Sequence, residues 1–276
     1  MATAAREFPY THSDFEAVRG LLAEAAGIHL PDAKRDMVYS RLARRLRRLR
    51  VPDFASYLEH VRADTDGERR EFLNALTTNL TAFFREGHHF EHVAQTVLPT
   101  LPRGEDTWRF WSAGCSTGEE AWSLAIALRE ALPAADYQRC RILATDIDSS
   151  VVERGAAGVY TEERVAGLDA HRLRRHFLRG RGRQAGKVRV RPELTDIVRF
   201  RQLNLMDAWP FRRRFHAVFC RNVVIYFDRD TQRELFDRLA EAIEPGGWLY
   251  IGHSETLWTV SERFAPEGRT VYRRLS

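Results

Sequence analysis

Apolar residues recur with helical spacing over roughly the first eighty positions, and from Trp108 onward they give way to short apolar runs separated by helical stretches. Ser13-Asp14-Phe15-Glu16 has the spacing of a capping box. The helix it opens runs through Leu21 and Leu22 to Gly27, a residue suited to the left-handed conformation that ends helices. After Pro31-Asp32 a second helix puts Val38, Leu42, Leu46 and Leu49 on one face and Arg41, Arg44, Arg45 and Arg48 on another. Asp53 and Asp66 are candidate caps for two more short helices. The stretch 85–98 predicts a connecting helix stopped by Pro99, and Pro99-Thr100-Leu101-Pro102-Arg103-Gly104 reads as a domain boundary.

The later runs predict strands at Trp108–Ser112, Arg141–Thr145, Ile197–Gln202, His216–Cys220 and Trp248–Gly252, with Val271–Arg273 as a last edge strand. A helix over 228–243 is closed by Glu244-Pro245-Gly246-Gly247. Strands alternating with helices make a mostly parallel sheet covered on both faces. One region breaks the alternation: the glycine-rich 180–186 followed by Val188-Arg189-Val190-Arg191 predicts a small β-hairpin insertion. The expected fold class is therefore α/β and doubly wound, with a helical domain over 1–84, a connecting helix and linker over 85–104, and a sheet domain over 105–276 carrying an insertion near 178–195.

Composition narrows the picture. With 44% hydrophobic and 29% charged residues the 276-residue chain reads as an ordinary globular protein. Met1–Phe15 has no apolar core of a signal peptide and no run approaches a membrane span, so a cytoplasmic protein is expected. Cys115, Cys140 and Cys220 form no CxxC pair and are expected to be reduced packing residues. The net charge of +5 is concentrated. Residues 33–50 hold Lys34, Arg35, Arg41, Arg44, Arg45, Arg47, Arg48 and Arg50 against Asp36 alone, and a second basic cluster runs from Arg172 to Arg201. Such clusters suit an acidic partner surface: nucleic acid, anionic lipid or an acidic protein.

Ligands of an open parallel sheet bind beyond the carboxyl ends of its strands, where four polar features fall. The first is the turn Ala113-Gly114-Cys115-Ser116-Thr117-Gly118-Glu119-Glu120. Its glycines allow close backbone approach, while Glu119 and Glu120 at the helix start repel a diphosphate and suit an ammonium- or sulfonium-bearing cofactor. The second is Asp146, placed to accept ribose hydroxyls, with Asp148 either sharing that role or capping the next helix. Asn204-Leu205 is placed to flank an adenine. Arg221-Asn222 interrupts the apolar run Cys220–Phe227, and a buried cation and amide are costly unless paired; Tyr226 is either a core aromatic or part of this rim.

Together with Thr77-Thr78-Asn79-Leu80-Thr81-Ala82-Phe83-Phe84-Arg85-Glu86, these motifs resemble, in order, those of the chemotaxis receptor methyltransferases, the CheR family. Ala121-Trp122 stands where that family commonly has Pro-Tyr. The resemblance implies a Rossmann-like S-adenosylmethionine-dependent methyltransferase domain, S-adenosyl-L-methionine as cofactor, and glutamate side chains of the chemoreceptors' cytoplasmic helical bundle as substrate. It further implies cofactor contacts from Asn79, Thr81, Arg85, Gly114, one of Glu119 and Glu120, Asp146, Asn204, Leu205, Arg221 and Asn222. Methyl transfer to a carboxylate also needs a positive or hydrogen-bonding group to hold it, and Arg85 and Tyr226 are the candidates for that orienting role. Arg41, Arg44, Arg45 and Arg48 then become a receptor-docking face, and the insertion resembles a β-subdomain that in some members binds a receptor C-terminal peptide. A monomer with no metal is expected. Three rivals stand beside this reading: a zinc helix from His88-His89-Phe90-Glu91-His92, a nucleic-acid methyltransferase, and a non-catalytic receptor-binding module.

Overall fold

A computed structural model describes residues 6–105 and 107–275, so the first five residues of the expected helical domain lie outside the described residues. The chain divides into two compact units: the described residues up to Thr78 together with Tyr226–Asp228, and Asn79–Ile225 together with Arg229 onward.

The first unit is helical. α1 (His12–Ala26), α2 (Arg35–Leu49), α3 (Phe54–Arg62) and α4 (Glu68–Leu76) bury Phe15, Val18, Leu22, Val38, Leu42, Leu46, Phe54, Tyr57, Val61 and Phe72 almost completely. The helical periods expected for α1 and α2 hold, but the cap of α1 differs. Thr11, not Ser13, accepts from Asp14 N at 3.1 Å, and Thr11 N donates to Asp14 Oδ2 at 2.7 Å. Two capping-box spacings overlap here, and the earlier one adds half a turn to the helix. Gly27 ends α1 at φ 69°, and Asp53 caps α3 by accepting from Ser56 N. Asp66 caps nothing: it sits at φ 57° in a 3-10 turn, and Asp64 accepts from Arg69 N in the first turn of α4 instead.

The second unit is built on a seven-stranded sheet in the order β6-β2-β1-β7-β8-β10-β9. Its strands are β1 (Trp108–Ala113), β2 (Cys140–Asp146), β6 (Val198–Gln202), β7 (Phe215–Phe219), β8 (Ile243–Tyr250), β9 (Phe264–Gly268) and β10 (Val271–Arg274). All pairings are parallel except those of β10 with β8 and β9. Thus Val271–Arg274 is interior to the sheet, and the edge is β9, a strand not predicted. Its Pro266 and Gly268 argue against a central strand and are tolerated at an edge. Glu244–Gly247 belongs to β8 instead of forming a separate turn, with a register shift where β8 pairs with β7.

Around the sheet run α5 (His88–His92), a π-helical turn (Val93–Val97), α6 (Leu98–Thr100), α7 (Glu119–Ala131), α8 (Ala134–Tyr137), α9 (Ser149–Ala157), α10 (Ala170–His176), α11 (Pro192–Thr195) and α12 (Arg229–Ala242). The segment 88–100 is no linker: Phe90, Val93, Val97 and Leu98 sit in one core with Trp108, Phe110, Leu124 and Leu128. The boundary between compact units accordingly falls at Thr78/Asn79, ahead of the expected 99–104. The insertion is also larger than a hairpin. β4 (Phe177–Arg179) and β5 (Lys187–Val190) form the hairpin, and β3 (Val159–Thr161) pairs with the other side of β5.

Candidate active site

Sequence order reverses between β1 and β7, so the loops after them flank the sheet's switch point. Gly114 follows β1 at φ 86°, and a Cβ there would meet Val223 Cγ2 at 2.4 Å. Gly118 starts α7 at φ 94°, where a Cβ would meet Gly155 Cα at 2.8 Å. Both glycines are therefore required by packing of the turn on the protein itself, a stronger demand than the close ligand approach expected from sequence. The turn is tied to β2 by Gly114 N and Cys115 N, which both donate to Thr145 O at 2.8 Å.

Asp146 ends β2, buried. Its Oδ2 accepts from Ser116 N at 2.8 Å and its Oδ1 from Asp148 N at 3.0 Å, so the carboxylate joins the β1 and β2 loops. Burial pushes its pKa up to about 6, against the opposing effect of these backbone hydrogen bonds. Asp148 does cap α9, accepting from Ser150 N at 2.9 Å, and its other oxygen accepts from Asn79 Nδ2 at 2.7 Å. Asn79 O in turn accepts from Ser116 Oγ at 3.1 Å. The structure thus brings Asn79, Asp146 and the β1 turn together. Asn204 forms a local turn by accepting from Met206 N at 3.1 Å, and Leu203 N donates to Asp146 O at 2.9 Å, which places Asn204 and buried Leu205 just beyond β6 beside the end of β2.

The two glutamates of α7 have different partners. Glu120 Oε1 accepts from Ser112 Oγ at 2.6 Å, and Glu120 Oε2 lies 3.2 Å from Arg221 Nη1. Burial raises its pKa, while Arg221 and Ser112 act in the opposite sense. Glu119 Oε2 accepts from Thr117 Oγ1 at 2.6 Å, and its Oε1 is held by Arg164.

Arg221 is enclosed, its side chain 2% exposed. Besides Glu120 it donates to the carbonyl of Arg85 and lies 3.6 Å from Glu86 Oε2. Glu86 Oε1 meanwhile accepts from His253 Nδ1 at 3.0 Å. Arg221 therefore gives both terminal nitrogens to protein partners and holds the 84–86 turn against the strand ends, while its buried Nε has no hydrogen-bond partner among the described residues. In that turn Phe84 and Glu86 have φ of 53° and 56°, a region that bulky residues rarely occupy unless surrounding contacts compel it. Arg85 is half-buried; its Nη1 donates to Leu80 O at 3.1 Å, and Thr81 lies half-buried in the same extended segment. Asn222, at φ 59°, is fixed through its N–H to Glu255.

Glu255, Glu86, Thr117 and Arg164 escaped the sequence reading. Glu255 accepts from the backbone N–H groups of Asn222, Val224, Ile225 and Gly252, and burial still raises its pKa. Its only sequence signal is an acidic residue three positions after Gly252 at a strand end. Tyr226 groups with the helical unit, where His29 N donates to Tyr226 O at 2.8 Å and His29 pairs with Asp228 at 3.1 Å.

The arginine face of α2 divides. Arg45, 12% exposed, is bound by Glu68 and Glu71, and Arg41 donates to Thr77 O at 2.7 Å. Arg45 thus holds α2 to the first turn of α4, and Arg41 holds it to the end of α4. Arg44 and Arg48 are exposed, four residues apart on one face, with no carboxylate within 4 Å among the described residues. As for the zinc reading, no group of three His, Cys, Asp or Glu among the described residues can hold a metal ion. His89 is buried with its pKa pushed down to about 2 by burial and then by Arg221, and its Nε2 faces Thr270 Oγ1 at 2.8 Å.

Buried carboxylates dominate this donor set, with the one enclosed guanidinium already committed. That chemistry fits a cofactor carrying vicinal hydroxyls, an ammonium and a sulfonium, and disfavours a diphosphate.

Residues 13–77 match the family described as CheR methyltransferase, all-alpha domain, and residues 79–273 match CheR methyltransferase, SAM binding domain. Over 268 residues the chain is 47% identical to chemotaxis protein methyltransferase 2 of Pseudomonas aeruginosa, covering 97% of this chain and 95% of that one. It is 43% identical over 274 residues to the chemotaxis protein methyltransferase of Klebsiella aerogenes, covering 99% and 93%. Against its counterpart in Escherichia coli the identity is 44% over 260 residues, covering 94% and 89%.

Proposed function

The chain belongs to the CheR methyltransferase family, and from that membership we propose that it transfers a methyl group from S-adenosyl-L-methionine to glutamate side chains of chemoreceptors for chemotactic adaptation. The observation that carries this reading is the acidic rim at the β1/β7 switch point within a match that runs through both domain families. The nucleic-acid and non-catalytic readings are not favoured, because the relatives named above are chemotaxis methyltransferases over nearly their whole length.

In this reading Asp146 takes the ribose hydroxyls, Asn204 and Leu205 flank the base, and Asn79 and Thr81 close over the cofactor. Glu119 takes the ammonium, Glu120 being held by Ser112 and Arg221. The bound cofactor supplies an electrophilic methyl carbon on sulfur. A glutamate carboxylate oxygen of the receptor forms the new O–CH3 bond as the S–CH3 bond breaks with its electron pair left on sulfur. With a carboxyl pKa of about 4.3 the nucleophile is already ionised at neutral pH, so no general base is needed. The protein's task is alignment and exclusion of water. Arg85, held through its own carbonyl by Arg221, orients the carboxylate. Incubation with methyl-labelled cofactor and receptor-containing membranes is expected to give label that alkali releases as methanol; label that survives alkali, or none, would overturn the proposal.

The substrate surface is the receptor's cytoplasmic helical bundle, met by Arg44 and Arg48. Their reversal, Arg44→Glu with Arg48→Glu, is expected to lower kcat/KM for receptor by about tenfold, a change worth about 1.4 kcal/mol. The deficit should shrink with salt, as screened steering does. Calorimetry should find cofactor affinity unchanged, and equal loss of both would remove this face from the receptor interface. The three-stranded sheet leaves an edge of β4 for a receptor C-terminal peptide to join by strand addition. Val159, Arg189 and Leu178 form an exposed row across that sheet, available for its side chains. The protein acts in this reading as a cytoplasmic monomer; no helix among the described residues is long and apolar enough to cross a membrane.

A further inference from the structure

Arg164 lies in the 3-10 turn Glu162–Val165 immediately after β3, outside every motif discussed above. Its Nη2 donates to Glu119 Oε1 and lies 3.3 Å from Thr117 Oγ1. The pair is lopsided: the Glu119 side chain is 0% exposed and that of Arg164 is 42% exposed. The turn carrying Arg164 is docked at the same place by Tyr160, whose hydroxyl donates to Thr117 O at 2.7 Å.

The neighbouring carboxylate has no such partner. Glu120 is held by Ser112 and by Arg221, itself enclosed at 2% exposure and tied to Arg85 and Glu86. Its counter-cation has no route to water. Arg164 has one, because a long arginine stem can swing its head into solvent while its base stays packed. Of these two buried carboxylates, only Glu119 has a counter-cation that is free to leave.

We propose that Arg164 is an exchangeable counter-cation of Glu119, a residue that sets affinity for the cofactor by competing with its ammonium. Binding of an ammonium-bearing ligand exchanges one cation for another on Glu119, and Arg164 moves into solvent. The carboxylate stays compensated throughout. The competition lowers affinity for substrate cofactor and product alike and so speeds release of S-adenosylhomocysteine. This rests on the assignment of Glu119 to the cofactor's ammonium, and the test separates the two.

Calorimetric titrations of S-adenosylhomocysteine and of 5′-methylthioadenosine, which lacks the amino-acid portion, into the wild-type protein, Arg164→Gln, Arg164→Lys and Glu119→Gln form the experiment. Arg164→Gln is expected to tighten S-adenosylhomocysteine about three- to tenfold, with methylthioadenosine unchanged and Arg164→Lys close to wild type. In thermal melts Arg164→Gln should lose stability that S-adenosylhomocysteine restores more fully than in the wild type. Weaker or unchanged binding of S-adenosylhomocysteine by Arg164→Gln, where Glu119→Gln does weaken it, would overturn the exchange and leave the Glu119 assignment standing. Unchanged binding by Glu119→Gln would overturn that assignment.

Discussion

Arg221→Ala is expected to destabilise the protein by about 3–5 kcal/mol at pH 8, the usual cost of leaving buried charge without its partner. The guanidinium faces Glu120 at 3.2 Å and Glu86 at 3.6 Å and donates to Arg85 O, so its removal strands two carboxylates and one carbonyl together. The pH dependence carries the diagnosis. Burial already raises the pKa of Glu120, and Arg221 is the largest influence holding it down. Without Arg221 the folded-state pKa of Glu120 rises further above its unfolded value. A carboxyl so raised binds a proton in the folded protein that the unfolded chain has released, so stability is fullest at low pH and falls as pH rises through that interval. The deficit of the variant should therefore be larger at pH 8 than at pH 5. Urea midpoints at the two pH values measure it, with m-values checked for constancy. Adding Glu120→Gln to Arg221→Ala should recover part of the loss, since a neutral amide needs no counter-ion. A pH-independent deficit would mean that lost packing, not unpaired charge, is the cause.

How much of this network was legible in the sequence depended on spacing. Period and composition were enough for α1, α2, α7, α12 and five of the seven main-sheet strands within a residue or two, because each carries a long one-sided or continuous apolar pattern. Val271–Arg274 was found as a strand and misplaced as the edge, since strand order comes from pairing. β3, only three residues long, and β9, with its Pro and Gly, lack a pattern long enough to read. The proline-rich 99–104 looked like a boundary by composition, yet Phe90, Val93 and Val97 ahead of it belong to the sheet's core.

Among the site residues, Asp146 and the β1 turn were legible because strand-end position is a local property. Glu86, Arg164 and Glu255 were not, because each acts on a partner at least 30 residues away in the chain: Arg221, Glu119 and the Asn222–Ile225 backbone. The arginines of α2 show the same limit from the other side. Helical period places Arg44, Arg45 and Arg48 near one another, while the acid that withdraws Arg45 comes from α4.

Asp146→Asn is expected to weaken S-adenosylhomocysteine binding by about 100-fold and to abolish its pH dependence. Two hydroxyls donating to one carboxylate are worth about 3 kcal/mol together, and each 1.4 kcal/mol is tenfold in affinity. Asparagine also disturbs the free loop. Both carboxylate oxygens of Asp146 accept backbone N–H groups, from Ser116 and Asp148, and an amide offers an acceptor to only one of them. In the wild type, burial raises the Asp146 pKa to about 6. As pH falls through that value the group gains a proton and loses acceptor capacity, so affinity is full above about pH 6 and declines below it. Folding stability should move the other way. The folded pKa exceeds the unfolded one, so the Asp146 contribution is fullest below the ordinary carboxyl range and lost as pH rises toward 6. Affinity and stability with opposite pH trends, both flattened in Asp146→Asn, are not produced by general acid unfolding, which would lower the two together. Titrations at pH 5, 6, 7 and 8, each paired with a urea midpoint, measure both. Wild-type affinity that stays level across this range would remove Asp146 from the ribose site and leave it as the brace between the β1 and β2 loops.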